Sequence, residues 1–206
     1  MAREAAYPKT AASSRTASAL RLGAWNLLDG CAGVCAGQRV TVLAEDPRLG
    51  WYDAAAPRAV AALARKIGAE AHLVQVGGPM EDLSSKAEAA IAAADAVIWF
   101  ARIGDQARFA PRGARRVEAV SYARTAAALG SDFGLRPHGE MAALKGRVHD
   151  RMASATRIRV TCPMGTDLEG APTSGPPEDV TIRRFPLSVP APVPAATFSG
   201  RVAIGR

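Results

Sequence analysis

Ala96-Val97-Ile98-Trp99-Phe100 is a run of five apolar residues, entered from Asp95 and left through Ala101-Arg102. A run this short and this uniformly apolar suits a strand covered on both faces rather than one with a wet side. Two upstream runs also read as strands: the β-branched Gln38 to Ala44, QRVTVLA, and Ala71 to Val76, AHLVQV. Helical spacing fills the gaps between them. Val60, Leu63, Ala64 and Ile67 share one face of a helix that Asp53 caps, Pro57 tolerates in its first turn and Gly68 closes. Leu83, Ala87, Ile91 and Ala94 share one face of the next. Before the first strand, Leu20, Ala24, Leu27 and Leu28 predict a helix over Ser18 to Ala32.

Downstream, Arg115 to Ser121 reads as a fourth strand, and Met141, Leu144, Val148 and Met152 mark a helix over Glu140 to Met152. The stretch Thr156 to Glu169, TRIRVTCPMGTDLE, then opens as a fifth strand, with Ile158 and Val160 alternating against Arg157, Arg159 and Thr161. Strands alternating with helical crossovers predict a mainly parallel sheet with helices on both faces. The expected fold is α/β, a Rossmann-like or flavodoxin-like doubly wound sheet of five strands with a Pro-rich C-terminal extension. Residues 1–16 read as a disordered leader and 17–169 as the α/β domain. Residues 170–206 read as a linker, GAPTSGPP, a possible sixth strand, VTIRR, a Pro-rich stretch, FPLSVPAPVPAA, and the start of a missing second domain at FSGRVAIGR.

The 206 residues carry 26 Lys and Arg against 19 Asp and Glu, a formal charge of +7. The Arg residues are spread along the chain, and no compact basic run interleaves with aromatics. A solvated basic surface is the expectation, with no nucleic-acid partner. No apolar run reaches the ~18 residues of a membrane span, and the N-terminus lacks the apolar core of a secretory signal. Three cysteines, Cys31, Cys35 and Cys162, are an odd number, which argues against a disulfide framework and points to the cytoplasm.

Several chemistries are excluded by pattern. The turn after the first strand, Ala44 to Gly50, is acidic and has no GxGxxG, so it would repel a dinucleotide phosphate. GxxxxGK[ST] and GxSxG are absent as well. His72, His138 and His149 come from separate elements with no carboxylate at ligand spacing, so no metal site is expected within this chain. Open α/β sheets bind ligands at the carboxyl ends of their strands. The residues at those positions are Glu45 and Asp46, Arg102 and Asp105, Ser121 and Arg124, and Thr166 and Asp167. From them Asp46, Arg102, Asp105, Thr166 and Asp167 are taken as substrate-proximal. Asp167 can equally bond the backbone two residues on and fix its turn.

The turn Thr161-Cys162-Pro163-Met164-Gly165-Thr166-Asp167, after a VRV-like strand, resembles one in the leucyl aminopeptidase (aminopeptidase T-like) superfamily, which includes the 2,5-dihydroxypyridine 5,6-dioxygenases. GQRVTVLAEDP, AALARKIGAEAHLVQV and AAADAVIWF are similar, in order, to that superfamily's first strand, its helix and second strand, and its third strand. RRFPLSVPAPVPAATFSGRVAI resembles the bridge to the second domain. The resemblance implies an N-terminal α/β domain of a metal-dependent enzyme. The activity is either ring opening of a hydroxylated pyridine with non-haem iron(II), or peptide hydrolysis with two divalent metals. It also implies metal ligands in a C-terminal domain or complementary chain, a homo-oligomer, and a chain inactive alone. A free-standing small-molecule-binding module is the alternative.

Overall fold

The structure, a computed structural model, describes residues 9–106, 116–172, 183–186 and 196–203. The three apolar runs form β1 (Arg39–Glu45), β2 (Glu70–Val76) and β3 (Ala96–Phe100). They are joined by α2 (Ala55–Lys66) and α3 (Ser85–Ala93). Asp53 accepts from the backbone N–H of Ala55 and Ala56 at 3.0 and 2.8 Å, and the Ser84 hydroxyl accepts from Ala87. Each helix therefore starts where a side-chain oxygen satisfies its first free donors. α4 (Arg102–Gln106) follows β3, and β4 (Val117–Ser121) leads to the short α5 (Ala126–Leu129), which the sequence did not announce.

The chain divides into two compact units, residues 1–141 with 181–188, and residues 142–180 with 189–206. The first unit holds a five-stranded sheet in the order β2-β1-β3-β4-β7, every neighbouring pair parallel. This is the expected doubly wound α/β architecture. β3 lies at its centre and all five of its residues are buried. Val40, Val42, Ile98, Phe100 and Ala119 face one core with Leu27, Leu28, Val60, Ala64 and Leu129. Leu43, Val97, Trp99 and Val120 face a second with Ala87. Uniform apolarity in β3 is thus the trace of two cores, one on each face.

The fifth strand is not the expected one. β7 (Arg183–Phe185) fills that place, pairing Ala119 with Arg183 and Ser121 with Phe185. The predicted strand is β5 (Ile158–Thr161) in the second unit, where it runs antiparallel to β6 (Asp167–Pro172). β6 pairs on its other side with β8 (Ala196–Arg201), also antiparallel. The alternation in RIRVT suits an antiparallel sheet with one solvated face. The apolar segment near residue 198, expected to await a missing domain, finds its partner in β6. Part of the expected linker, up to Pro172, is β6 itself. The rest of the linker, residues 173–182, and the Pro-rich 187–195 lie outside the described residues.

At the N-terminus α1 runs Lys9–Trp25 and continues as a π-helical segment, Asn26–Ala32. Residues 9–16, assigned to the leader, are therefore helical. Residues 1–8 lie outside the described residues. Gly23 lets α1 approach α5 closely, since a Cβ there would stand 1.9 Å from the Leu129 carbonyl oxygen. Asn26 secures the following loop. Its amide donates to the Gly134 carbonyl at 3.0 Å and its Oδ1 accepts from the His138 N–H at 3.0 Å. α6 (His138–Ala153) then begins, close to its expected position.

Among the described residues of the second unit none is fully buried. Its sheet is tied across the strands by ion pairs, Arg157 to Glu169 and Arg159 to Asp167. Phe185, by contrast, is wholly buried in the first core. Phe185→Ala should therefore lower unfolding free energy by about 3–5 kcal/mol, the usual cost of emptying a core aromatic site. Urea denaturation measures this, and a change under ~0.5 kcal/mol would show that β7 is no part of the core.

Candidate functional site

The strand order changes direction between β1 and β3, because the connection from β1 leads out to β2 and the next returns past β1 to β3. Such a reversal leaves a crevice at the carboxyl ends of the two strands, where ligands of open α/β sheets bind. Glu45 ends β1 there and Arg102 follows β3. The Glu45 side chain is fully buried. Its Oε2 accepts from the Arg102 backbone N–H at 2.9 Å, and its Oε1 accepts from Nε at 2.9 Å and from Nη2 at 2.7 Å. A buried carboxylate is tolerated when its lone pairs are met this fully.

The Arg102 guanidinium also lies over the Trp51 ring, with Cζ 4.4 Å from the centroid, and Arg124 approaches the same ring at 4.5 Å. Both distances are within cation–π range. The loops carrying these groups are knitted together. Asp53 N–H donates to the Arg124 carbonyl at 2.9 Å, and the Asp53 carboxylate accepts from the Ala126 N–H at 2.7 Å. Tyr52, buried beneath, stands edge-on to Phe100 and donates its hydroxyl to the Ser121 carbonyl at 2.8 Å. Burial pushes its phenol up to about 12, with Arg124 pulling the other way. Tyr122, partly exposed, donates to Asp105 Oδ1 at 2.6 Å.

Beside the crevice, at the ends of β1 and β2, is a polar cleft of about 600 Å³ lined by Asp46, Arg48, Gln75, Gly77, Glu81 and Ser84, among others. That volume suits a small-molecule ligand. The Glu81 carboxylate folds back onto the Gly77-Gly78 turn, accepting from the Gly78 N–H at 2.8 Å. Gly78 in turn faces Arg102, whose Nη2 lies 3.7 Å from where a Cβ would stand. Cleft and crevice therefore meet at Arg102.

The structure brings together some of the strand-end candidates and separates others. Arg102 and Asp105 sit at the crevice with Glu45 and Arg124. Ser121 is buried, and its hydroxyl accepts from the Ala123 N–H at 3.2 Å, a turn-forming role. Asp46 lines the cleft, but its carboxylate is engaged by Arg48 in its own turn. That contact holds it down at about 2, so it stays anionic at all ordinary pH. Thr166 and Asp167 belong to the second unit. The Thr166 hydroxyl accepts from the Ala203 N–H at 3.1 Å. Asp167 accepts from Arg159 Nε and Nη2 at 2.8 and 2.9 Å, a bond that lowers its carboxyl below the usual range. Trp51 and Tyr122 were missed, because nothing local in the sequence marks an aromatic that becomes the platform for two distant arginines.

Among the described residues no group of three or more His, Cys, Asp and Glu side chains could hold a metal ion. His72 pairs with Glu70 at 3.1 Å on the surface. The three cysteines are free. Burial raises the Cys31 thiol to about 12, whereas the Thr166 hydroxyl lowers that of exposed Cys162. No helix among the described residues is long and apolar enough to cross a membrane.

No protein-family model matches the chain, and no curated protein matches it. Among solved structures the chain is similar to 2,5-dihydroxypyridine dioxygenase from Pseudomonas putida KT2440, at 14% sequence identity and a TM-score of 0.49. The match covers 84% of this chain and 55% of that one, so the chain spans about half the length of that structure. A likeness this distant carries no argument about chemistry, and the class of the protein rests on its own sheet. It is an open, all-parallel α/β domain whose switch point lies between β1 and β3, accompanied by a small antiparallel unit.

The pairing of Glu45 with Arg102 gives a direct test of this geometry. Arg102→Leu strands a buried carboxylate and should cost about 3 kcal/mol. Glu45→Gln keeps an acceptor for the Arg102 N–H and should cost less. Urea denaturation of both variants checks the order, and a larger loss in Glu45→Gln would contradict the buried pair.

Proposed function

We propose that the first unit is a small-molecule-binding α/β domain whose ligand sits at the carboxyl edge, over the crevice between β1 and β3. The observation that carries this reading is the buried Glu45 fixing Arg102 against Trp51. A fully buried carboxylate is an expensive way to end a strand. It is understandable where it holds a guanidinium at one position beside an open cleft. Arg102 can then present a fixed face, Asp46 and Glu81 line the cleft, and the Trp51 ring supplies apolar surface. Thermal-shift screening against a panel of small metabolites tests the reading. A binding compound should raise Tm by several degrees, and Trp51→Ala should abolish the rise. A hit that stabilises wild type and Trp51→Ala equally would place its site elsewhere.

A second reading is favoured by the sequence of Thr161 to Asp167 and by the order of the strand segments before it. In it the chain is one domain of a metal-dependent, cytoplasmic, homo-oligomeric enzyme resembling the 2,5-dihydroxypyridine dioxygenases. The iron(II) ligands would come from a complementary domain or chain, and this chain would wall the active site. On that reading the chain alone binds iron(II) weakly and leaves the absorbance of 2,5-dihydroxypyridine unchanged over time. Tight, stoichiometric iron binding by the isolated chain would end it.

A further inference from the structure

We propose that Arg124, not Arg102, is the anchoring cation of the crevice, and that its ligand is a planar carboxylate. This rests on the small-molecule reading above and specifies its ligand class. The two arginines at Trp51 differ in what they have left to offer. Arg102 has given its backbone N–H, its Nε and its Nη2 to Glu45, whose charge neutralises its own. Arg124 is exposed and forms no ion pair among the described residues. Stacking on Trp51 engages the flat face of its guanidinium and leaves the in-plane N–H donors available. Those donors form a fork that matches the two oxygens of a carboxylate.

The residue is also held in place from its backbone. Its carbonyl accepts from Asp53, and the Asp53 carboxylate caps α2 while binding the Ala126 N–H. With the backbone fixed and the guanidinium resting on Trp51, part of the ordering cost of binding is already met. Two residues upstream, the Tyr122 ring is 39% exposed, and Trp51 is 41% exposed. This apolar aromatic surface beside an unneutralised guanidinium fits a carboxylate attached to a flat ring better than a free inorganic anion, which offers nothing to pack.

Benzoate, its neutral isostere benzamide, and inorganic phosphate separate the possibilities. Titration of the full chain is followed by tryptophan fluorescence and by calorimetry, in wild type, Arg124→Gln, Arg124→Lys and Trp51→Ala. Benzoate should bind at least ten-fold more tightly than benzamide. Arg124→Gln should erase that preference, and Arg124→Lys should restore only part of it, because an ammonium lacks the planar fork. Arg124 is on the surface, so the urea midpoint of Arg124→Gln should match wild type and exclude misfolding as the cause. Equal affinity for benzoate and benzamide, retention of the preference in Arg124→Gln, or no binding of benzoate overturns the proposal. Tighter binding of phosphate than of benzoate overturns the carboxylate class. Loss of benzamide binding in Trp51→Ala would leave the small-molecule reading standing even then. Benzoate binding that survives Trp51→Ala unchanged would remove both.

Discussion

A carboxylate removed from water must be met by donors, and Arg102 meets Glu45 through backbone and side chain together. That demand fixes where the chain leaves β3, because the Arg102 N–H has to point back at the end of β1. It also fixes the guanidinium, and through it the position of Trp51 and the loop that continues to Asp53. Asp53 then sets the start of α2 and binds the loop after β4. Three connections of the parallel sheet, those after β1, β3 and β4, are therefore coordinated around one buried charge. The energetic gain of such a pair over an apolar substitute is small or negative, and its value lies in specifying geometry.

The two sheets solve different physical problems. The parallel sheet has apolar layers on both faces, and its central strand can carry no polar side chain inside it. Of its buried polar side chains, Glu45 and Ser121 end their strands at the carboxyl edge, whereas Thr41, Glu118 and Arg184 lie within theirs. The antiparallel sheet has no fully buried residue among those described, and its cross-strand partners are charged. Cross-strand pairs of this kind contribute only modestly. Chemistry that depends on desolvated, fixed side chains is accordingly better housed at the edge of the first sheet than on the second.

Much of this was legible in the sequence, and the failures have physical causes. Uniform apolarity marked β3, and β-branched residues marked β1, because both faces of the sheet had to be buried. The same argument should have kept RIRVT out of the parallel sheet, since alternating Arg and apolar residues describe one wet face. β7 was partly legible: VTIRR reads as a possible sixth strand, but its place at the edge of the parallel sheet does not show. It is three residues long, it contributes two arginines and one phenylalanine, and its partner lies far back in the chain. Strand-end reasoning placed Arg102, Asp105 and Arg124 at the carboxyl edge of the sheet, since that edge follows from topology alone. Neither the choice of Arg102 as the partner of Glu45 nor the place of Trp51 could be read, because both depend on which loops meet in space. Asp46 and Asp167 each bond an arginine close by in their own turn or hairpin, a local partner that strand-end reasoning does not supply.

The late arrival of β7 has a consequence for how the protein is made. Synthesis proceeds from the N-terminus, and domains begin to fold as they emerge. β1 to β4 can assemble as soon as Ser121 leaves the ribosome, but the strand that covers the free side of β4 follows only after about sixty further residues. During that interval the backbone of β4 is an open edge beside a core that lacks Phe185, a template for pairing with another nascent chain. At roughly 5–20 residues per second the exposure lasts several seconds. The yield of native protein in cells is thus governed by the speed of translation through this interval as well as by the stability of the finished fold.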